Sequence, residues 1–443
     1  MLKRRILEKL IAWKKSQNKK CVIISGARQI GKTYIARKFA QENYASFIEL
    51  NFLEKPSLKN IFAGALDAES ILLGITLNLR GTQIIPGNTL ILLDEIQECP
   101  QAITALKFLA AAEGVDVIAT GSALGMAYNH PSSYPVGSIE YLDMYSLSLE
   151  EFLLANKVEE STIDLLKGYF LRREQVPLAL HTPLMELLRT YMIVGGMPEV
   201  VNAFLEKRSF EAADKVQRRI YRDYINDIAR FSEPELKLKA EKCYQSIPLQ
   251  LQKENHKFQY KACEKNGTAR KFTTSIDWLI NAHFVLPVYN VSCWSYPLKS
   301  FMKDDNFRLY PHDIGLLVAA YDFNLKQALY AEQNSEESSN NIILRTSKGG
   351  LYEALAADIL QKNNHKDIYF FRNETGSMEL EFLLESKDGV LPIEIKAGKK
   401  NKTTSLDRIL ADEDIKWGYK FASQNVGVAG KKITLPIYML MFV

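Results

Sequence analysis

The sequence predicts an α/β protein whose first domain is a three-layer sandwich, with helices covering both faces of a sheet. Short apolar runs alternate with segments of helical spacing from residue 21 to about residue 155. The first apolar run is followed by a glycine-bounded loop that carries a lysine, residues 26–33. A later run ends in two acids, Asp94 and Glu95. Together these observations favour a parallel sheet with a ligand site at its carboxyl edge.

The loop reads GARQIGKT and lies between the apolar run 21–24 and the helical segment 34–40. A strand, a glycine-bounded turn and a helix form the layout of a phosphate-binding loop, because backbone N–H groups and the positive end of the helix converge on phosphate oxygens. Lys32 is predicted to reach the outer phosphates, and the Thr33 hydroxyl to hold Mg²⁺. A chance glycine turn is the alternative, but the strand before it and the helix after it argue against that. The predicted ATP-binding residues are Gly26, Ala27, Arg28, Gln29, Ile30, Gly31, Lys32 and Thr33.

The second informative run, residues 89–93, is wholly apolar and is followed by Asp94 and Glu95. This pattern predicts a strand buried on both faces with its charges at the carboxyl end. Asp94 is predicted to hold Mg²⁺ through water, and Glu95 to be the catalytic residue that polarises the attacking water. The alternative is that the two acids cap the next helix.

A third strand, residues 115–120, ends at Thr120. A hydroxyl at that position is predicted to act as a sensor of the γ-phosphate or of the attacking water, and the alternative is an ordinary hydroxyl-rich turn. Residues 138–147 supply one more strand, and 149–155 a helix.

The middle of the chain is helical. A long charged helix is predicted over residues 211–230, and its arginines are either solvated or reach the nucleotide of a neighbouring subunit. Residues 236–330 read as a helical unit that ends in a β-hairpin, which is compatible with a winged helix. Its Arg270 and Lys271 would meet DNA, or the element serves packing alone. Residues 331–350 are rich in Glu, Ser and Asn and predict a linker.

The last part of the sequence contains a set of carboxylates. Glu353 lies on a predicted helix, Glu379 and Glu381 on one strand, and Glu394 and Lys396 on the next. Residues two apart on a strand share a face, so the pairs point together. Acids with a nearby lysine are typical of metal-dependent phosphodiester hydrolysis. The alternative is an amphipathic hairpin with a solvated charged face.

Composition sets wider limits. At 443 residues the chain exceeds a single comfortable core. The five cysteines show no CxxC spacing and the six histidines no HExxH, which argues against a disulfide framework and a dedicated transition-metal site. The charged N-terminus and the lack of an apolar run of about 18 residues lead us to expect a cytoplasmic protein without a membrane partner. A net charge of +4 neither requires nor excludes nucleic acid.

Several motifs together resemble one known family. The segments GARQIGKT, ILLDEIQ, IATGS, IVGGMPEVV, KGGLYEALAADIL, ELEFLL and PIEIKAG are similar to those of bacterial and archaeal AAA+ ATPases with a C-terminal domain of unknown function. The similarity spans nearly the whole chain, and Arg28-Gln29 and Gln97 are characteristic of this group. The resemblance implies an AAA+ core (1–158), a helical lid (159–235), a winged-helix-like segment (236–330), a linker (331–350) and a restriction-endonuclease-like domain (351–443).

Two positions depart from the family pattern. Where the family carries Gly-Arg before the fifth strand, this chain has Gly137-Ser138 and so lacks that arginine. Arg222 and Arg230 are the candidates to replace it. The Glu-x-Asp strand of the family reads Glu379-Leu380-Glu381, and the longer side chain of Glu381 would shift a bound metal by about one bond length, against a tolerance of about half an ångström.

Three functional hypotheses follow. The first is an AAA+ protein that binds and hydrolyses ATP with Mg²⁺ and couples nucleotide state to its nuclease-like domain. The second is an ATP-gated nuclease acting on DNA, with Glu353, Glu381, Glu394 and Lys396 as its site. The third is a nucleotide-dependent scaffold that does not hydrolyse ATP. Each of the three hypotheses is compatible with a homo-oligomer.

Overall fold

The computed structural model describes residues 2–17, 19–121, 135, 137–231, 234–321, 323–331, 342–397 and 403–443. The chain divides into two compact units. The first unit is Arg4–Tyr145 with Asn281–His283, and the second is Met1–Lys3, Ser146–Ile280 and Phe284–Val443. None of the helices in the described ranges is long and apolar enough to cross a membrane.

The first unit is built on one parallel sheet. Its strands are β1 (Cys21–Ser25), β2 (Ser46–Asn51), β3 (Thr89–Asp94), β4 (Val115–Thr120) and β5 (Ile139–Asp143). Its helices are α1 (Ile6–Lys14), α2 (Lys32–Asn43), α3 (Ala68–Asn78) and α4 (Pro100–Leu109), with 3-10 helices at Pro56–Phe62 and Ile96–Glu98. All five predicted strands are present, and the two that were predicted to be deeply buried, β3 and β4, are almost completely so.

The strand order β2-β3-β4-β1-β5 determines where the site lies. All neighbouring strands are parallel, so their carboxyl ends meet at one edge. β4 separates β1 from β3, which places the residue after β1, the end of β4 and the end of β3 side by side. Apolar side chains of the strands pack on the helices in one core that includes Ile23, Leu50 and Leu93.

The second unit contains helices and a large mixed sheet. Its helices are α5 (Leu149–Ala155), α6 (Glu160–Arg172), α7 (Leu178–Val194), α8 (Pro198–Lys207), α9 (Phe210–Phe231), α10 (Pro234–Leu251), α11 (Tyr260–Cys263), α12 (Ala269–Asn281), α13 (Ile314–Ala319), α14 (Phe323–Ala331), α15 (Ile342–Lys362) and α16 (Thr404–Leu410), with 3-10 helices at Leu298–Phe301 and Ile437–Phe442. Its strands are β6 (Val285–Val291), β7 (Met302–Pro311), β8 (Tyr369–Arg372), β9 (Glu379–Ser386), β10 (Gly389–Ile395), β11 (Gly418–Ala422), β12 (Gly427–Ala429) and β13 (Lys432–Pro436).

These strands form one eight-stranded sheet in the order β12-β13-β11-β10-β9-β8-β6-β7. The predicted hairpin is β6 and β7, and its strand β6 pairs in parallel with β8. The hairpin of the predicted winged-helix-like segment and the strands of the C-terminal segment are therefore parts of a single sheet.

The predicted linker is wrong over its second half, because helix α15 begins at Ile342. Residues 332–341 lie outside the described ranges. The glycines at the end of the predicted linker belong to the helix, and Gly350 has a packing role. A β-carbon at Gly350 would lie 2.0 Å from the carbonyl oxygen of Leu251, so glycine permits close contact between α15 and the end of α10.

Candidate nucleotide-binding site

The loop between β1 and α2 is shaped by its two glycines. Gly31 is the N-cap of α2 and has a φ of 92°, in the left-handed region. Gly26 has a φ of 152°, and a β-carbon there would lie 2.1 Å from the carbonyl oxygen of Met144. Since only glycine tolerates both conditions, these positions keep the backbone of the loop open toward the N-terminus of α2. That helix end leaves backbone N–H groups available for an anion.

Lys32 is the first residue of α2 and folds back over the loop. Its ammonium donates to the carbonyl oxygens of Gly26, at 2.9 Å, and Ala27, at 2.6 Å. Burial lowers the pKa of Lys32 to about 8, although attraction from Glu95 opposes the shift. The loop therefore holds a cation at its centre whose two carbonyl partners can be exchanged for phosphate oxygens.

Asp94, at the end of β3, is the point where separately predicted residues meet. One of its carboxylate oxygens accepts hydrogen bonds from the Thr33 hydroxyl, at 2.8 Å, and from the Thr120 hydroxyl. The side chain is buried, with only 3% of its surface exposed. Loop, β3 and β4 thus contribute one residue each to a single cluster, as expected from the carboxyl edge of a parallel sheet.

Asn51 completes this cluster and was missed by the sequence reasoning. Its side-chain oxygen accepts from the backbone N–H groups of Leu53, at 3.0 Å, and Glu54, at 2.9 Å. That turn aims its amide nitrogen at the second carboxylate oxygen of Asp94, at 3.0 Å. The available signal was its position: it is the last residue of β2, which lies directly beside β3.

Glu95 follows Asp94 in a strained backbone conformation, with a φ of 52°. The Gln97 amide nitrogen donates to its carboxylate, and the Gln97 side chain is buried. Gly121 makes room for Gln97, since a β-carbon at that glycine would lie 2.5 Å from the Gln97 amide oxygen. The half-buried Glu95 carboxylate, next to Asp94 in the chain, is therefore held by a hydrogen bond from the buried Gln97 side chain.

The donor set at this edge fits Mg²⁺. The Thr33 hydroxyl and the Asp94 carboxylate are hard oxygen ligands, and Mg²⁺ in phosphate sites takes one or two protein oxygens and completes its shell with water and phosphate. The two groups already touch each other, so one ion can contact both. Ser138 lies just before β5, at the opposite, amino edge of the sheet, where its carbonyl accepts from the Cys21 N–H at 3.1 Å.

The arginines proposed as replacements at Ser138 belong to the second unit. Arg222 is exposed, while the side chain of Arg230 lies outside what the structure describes. Lys271, which was predicted to contact DNA, forms an ion pair with Glu264 at 3.3 Å.

In the second unit Glu353 is surrounded by positive and hydroxyl donors. Arg308 donates to Glu353 with one guanidinium nitrogen and to Glu379 with the other, and Tyr310 also donates to Glu353. His256 lies 2.7 Å from the second Glu353 oxygen. Burial would raise the pKa of Glu353, but attraction from Arg308 and His256 lowers it to about 2.

Lys396 organises the other predicted acids. Its ammonium lies 2.6 Å from Glu394 and 3.7 Å from Glu381. Burial raises the pKa of Glu381 to about 7, against the attraction of Lys396. Glu353, Glu381 and Lys396 line one hollow of about 320 Å³. Across the described residues there is no group of three or more His, Cys, Asp or Glu arranged to hold a metal ion.

Comparison with known proteins divides the chain into three matched segments. Residues 18–153 match a family model described as an AAA domain. Residues 185–327 and 348–436 match two models described as domains of unknown function (DUF8612 and DUF4143). No curated protein matches the chain. The second segment runs from within α7 into α14 and includes the β6–β7 hairpin.

Solved structures give weak likenesses. A Walker-type ATPase of Pyrococcus abyssi is 11% identical, with a TM-score of 0.43 over 72% of this chain and 96% of that one. Cdc6p of Pyrobaculum aerophilum is 10% identical, with a TM-score of 0.26 over 75% and 94%. ORC2 of Aeropyrum pernix in its ADP form is 14% identical, with a TM-score of 0.27 over 75% and 93%. The loop, Asp94 and Thr120 all lie within the segment, residues 18–153, that matches the AAA-domain model.

Proposed function

We propose that the first unit binds ATP together with Mg²⁺ and hydrolyses it to ADP and phosphate. The observation that carries the proposal is the meeting of Thr33 and Thr120 at the Asp94 carboxylate, next to a glycine-bounded loop with Lys32 at its centre. This arrangement combines a cation for the phosphates, oxygen ligands for a divalent ion and, in Glu95, a neighbouring carboxylate.

Each residue has a separate task in this proposal. Lys32 leaves the two loop carbonyls and binds the β- and γ-phosphates. Thr33 and Asp94 hold Mg²⁺, which when bound neutralises charge on the phosphate oxygens. Glu95 orients the attacking water and accepts its proton, while Thr120 turns from Asp94 toward the γ-phosphate or that water.

Replacing Lys32 by alanine tests the binding step. We expect the affinity for ATP to fall about 100-fold or more, because charge-assisted hydrogen bonds to two phosphates are lost. Titration of the purified protein with a fluorescent ATP analogue measures the effect. Lys38→Ala is the matched control, since Lys38 lies on the same helix and pairs with Glu42 at 3.7 Å. Unchanged affinity in Lys32→Ala would reject the assignment.

The low pKa of Lys32 makes ATP binding dependent on pH. Bound phosphates favour the charged ammonium, so the pKa of Lys32 rises on binding, and the complex takes up protons near pH 8. Affinity is therefore highest below pH 8 and falls as pH rises through 8. Calorimetry in two buffers of different ionisation enthalpy measures the proton uptake. Lys32→Arg removes the titrating group and should abolish the uptake, and an identical uptake in that variant would contradict this explanation.

A further inference from the structure

A second hollow, of about 250 Å³, opens in the second unit and shares no lining residue with the hollow of Glu353, Glu381 and Lys396. Four segments form its wall: the loop after α10, the strands β6 and β7, and the end of β8 with the turn that follows it. Three of them contribute one cation each, namely Lys257, Lys303 and Arg372. Neutral amides of Asn255 and Asn306 lie on the same wall and add hydrogen-bond donors. We call this site the basic hollow.

A bulge in β7 brings part of this wall into place. Tyr289 of β6 pairs with Phe307, but the next residue, Asn290, pairs with Lys303, so residues 304–306 have no partner on β6. Bulges of this kind change the direction in which side chains point and are common beside functional sites. Here the bulge places Lys303 and Asn306 at the hollow, while Asp304 and Asp305 remain exposed and do not line it.

Arg372 is fixed in position before any ligand arrives. The buried Asn290 side chain donates to the Arg372 carbonyl, at 3.1 Å, and accepts from its N–H, at 2.8 Å. The guanidinium lies 3.0 Å from Glu379. A β-carbon at Gly376 would lie 2.9 Å from the guanidinium, so glycine leaves it room. A cation held this way loses little conformational entropy on binding an anion.

The acid on the wall of the basic hollow does not balance its three cations, and Glu379, which lies outside the wall, is shared between Arg372 and Arg308. The single acid on its wall is Glu374, whose side chain is 91% exposed and lies 3.7 Å from Lys303. Lys303 and Arg372 are only 33% and 25% exposed, so their charges are poorly solvated. Three cations that repel one another around a recess favour the binding of an anion.

We propose that the basic hollow binds a phosphate group. A carboxylate is satisfied by one bidentate arginine, whereas a phosphate carries more charge and more acceptor oxygens, which suits three cations from three directions. The phosphate can belong to a small phosphorylated molecule or to the end of an oligonucleotide. This inference is independent of the ATP site in the first unit.

The test compares two double variants in a Lys32→Ala background, so that the phosphate-binding loop does not compete. Lys257→Gln with Lys303→Gln removes two cations from the basic hollow. Lys261→Gln with Lys299→Gln makes the same change of charge at exposed lysines outside it. Inorganic phosphate is titrated by calorimetry and by ³¹P NMR line broadening. A 5′-phosphorylated oligonucleotide and its 5′-hydroxyl counterpart, both labelled at the 3′ end, are titrated by fluorescence anisotropy.

We expect phosphate to bind at least about tenfold more weakly to the variant that lacks Lys257 and Lys303. The phosphate affinity of the control variant should stay within about twofold of that of the parent protein. Tighter binding of the 5′-phosphorylated oligonucleotide, lost in the same variant, would identify a nucleic-acid end as the source. Binding of free phosphate with no difference between the two oligonucleotides would identify a small molecule. Absence of phosphate binding at millimolar concentration, or equal weakening in both variants, would overturn the proposal.

Discussion

Replacement of Glu95 by glutamine is expected to lower ATP turnover about 100- to 10,000-fold, the range that a general base contributes, while ATP still binds. Glutamine keeps the size of the side chain and an oxygen that can accept from Gln97, so the strained turn at this position is preserved. What is lost is the negative charge that takes a proton from water. Phosphate release under single-turnover conditions measures the chemical step, and a parallel titration measures ATP affinity.

Glu98→Gln is the matched control for this experiment. Glu98 lies three residues further on and pairs with Lys59 at 3.5 Å, away from the Asp94 cluster. We expect its turnover to remain close to that of the unmodified protein. Full turnover in Glu95→Gln would reject Glu95 as the base, and equal losses in both variants would point to a general disturbance of the turn.

Replacement of Arg308 by methionine is expected to reduce the free energy of unfolding by about 3–5 kcal/mol, the usual result of leaving a buried charge without its partner. The Arg308 side chain is fully buried between Glu353 and Glu379, and its guanidinium lies 4.1 Å from the centre of the Phe370 ring. Methionine fills much of the volume but removes the buried cation that both acids share, which leaves Glu353 with His256 and Glu379 with Arg372. Urea denaturation followed by tryptophan fluorescence and circular dichroism measures the loss.

The loss of stability caused by Arg308→Met should become smaller as the pH falls. In the unmodified protein the pKa of Glu353 is lowered from 4.5 to about 2, so its contribution to stability is complete above about pH 4.5 and is lost as pH falls toward 2. Without Arg308 the pKa of Glu353 rises, and mild acid neutralises the stranded charge. The difference in stability between the two proteins should therefore shrink between pH 7 and pH 4.

Two further variants separate this explanation from loss of packing. Adding Glu353→Gln to Arg308→Met should recover about 1–3 kcal/mol, because the uncompensated charge is removed with its partner. Arg372→Met also removes a partner of Glu379, but from a partly exposed pair at 3.0 Å, and should cost about 1 kcal/mol or less. If Arg372→Met were as harmful as Arg308→Met, burial would not be the cause.

Local patterns predicted the strands and the phosphate-binding loop of the first unit. Wholly apolar runs such as 89–93 have few alternatives to a buried strand, and a glycine-bounded loop before a helix has a well-defined geometry. The meeting of Thr33, Asp94 and Thr120 followed from one rule, that parallel strands present their carboxyl ends at the same edge. That rule does not reveal which strands are neighbours, and this is why Asn51 was missed.

Long-range pairing limited the prediction in the second unit. Arg308 lies in a predicted strand, but its carboxylate partners are 45 and 71 residues away along the chain. Carboxylates at suitable spacing suggested a metal site, and nothing local indicated that a buried arginine would contact Glu353 and Glu379. Likewise, Gly350 was assigned to a linker from composition alone. The close contact between α15 and the end of α10 explains the glycine, and local composition does not reveal that contact.

The shared eight-stranded sheet affects how the chain can be divided. A cut before α15 would follow both the composition of the sequence and the boundary between two family matches. It would also separate β6 from β8 and leave a strand edge of unpaired backbone groups, which is a template for aggregation. Fragments ending near residue 340 are therefore expected to associate through that edge, and fragments beginning there would expose the matching edge of β8.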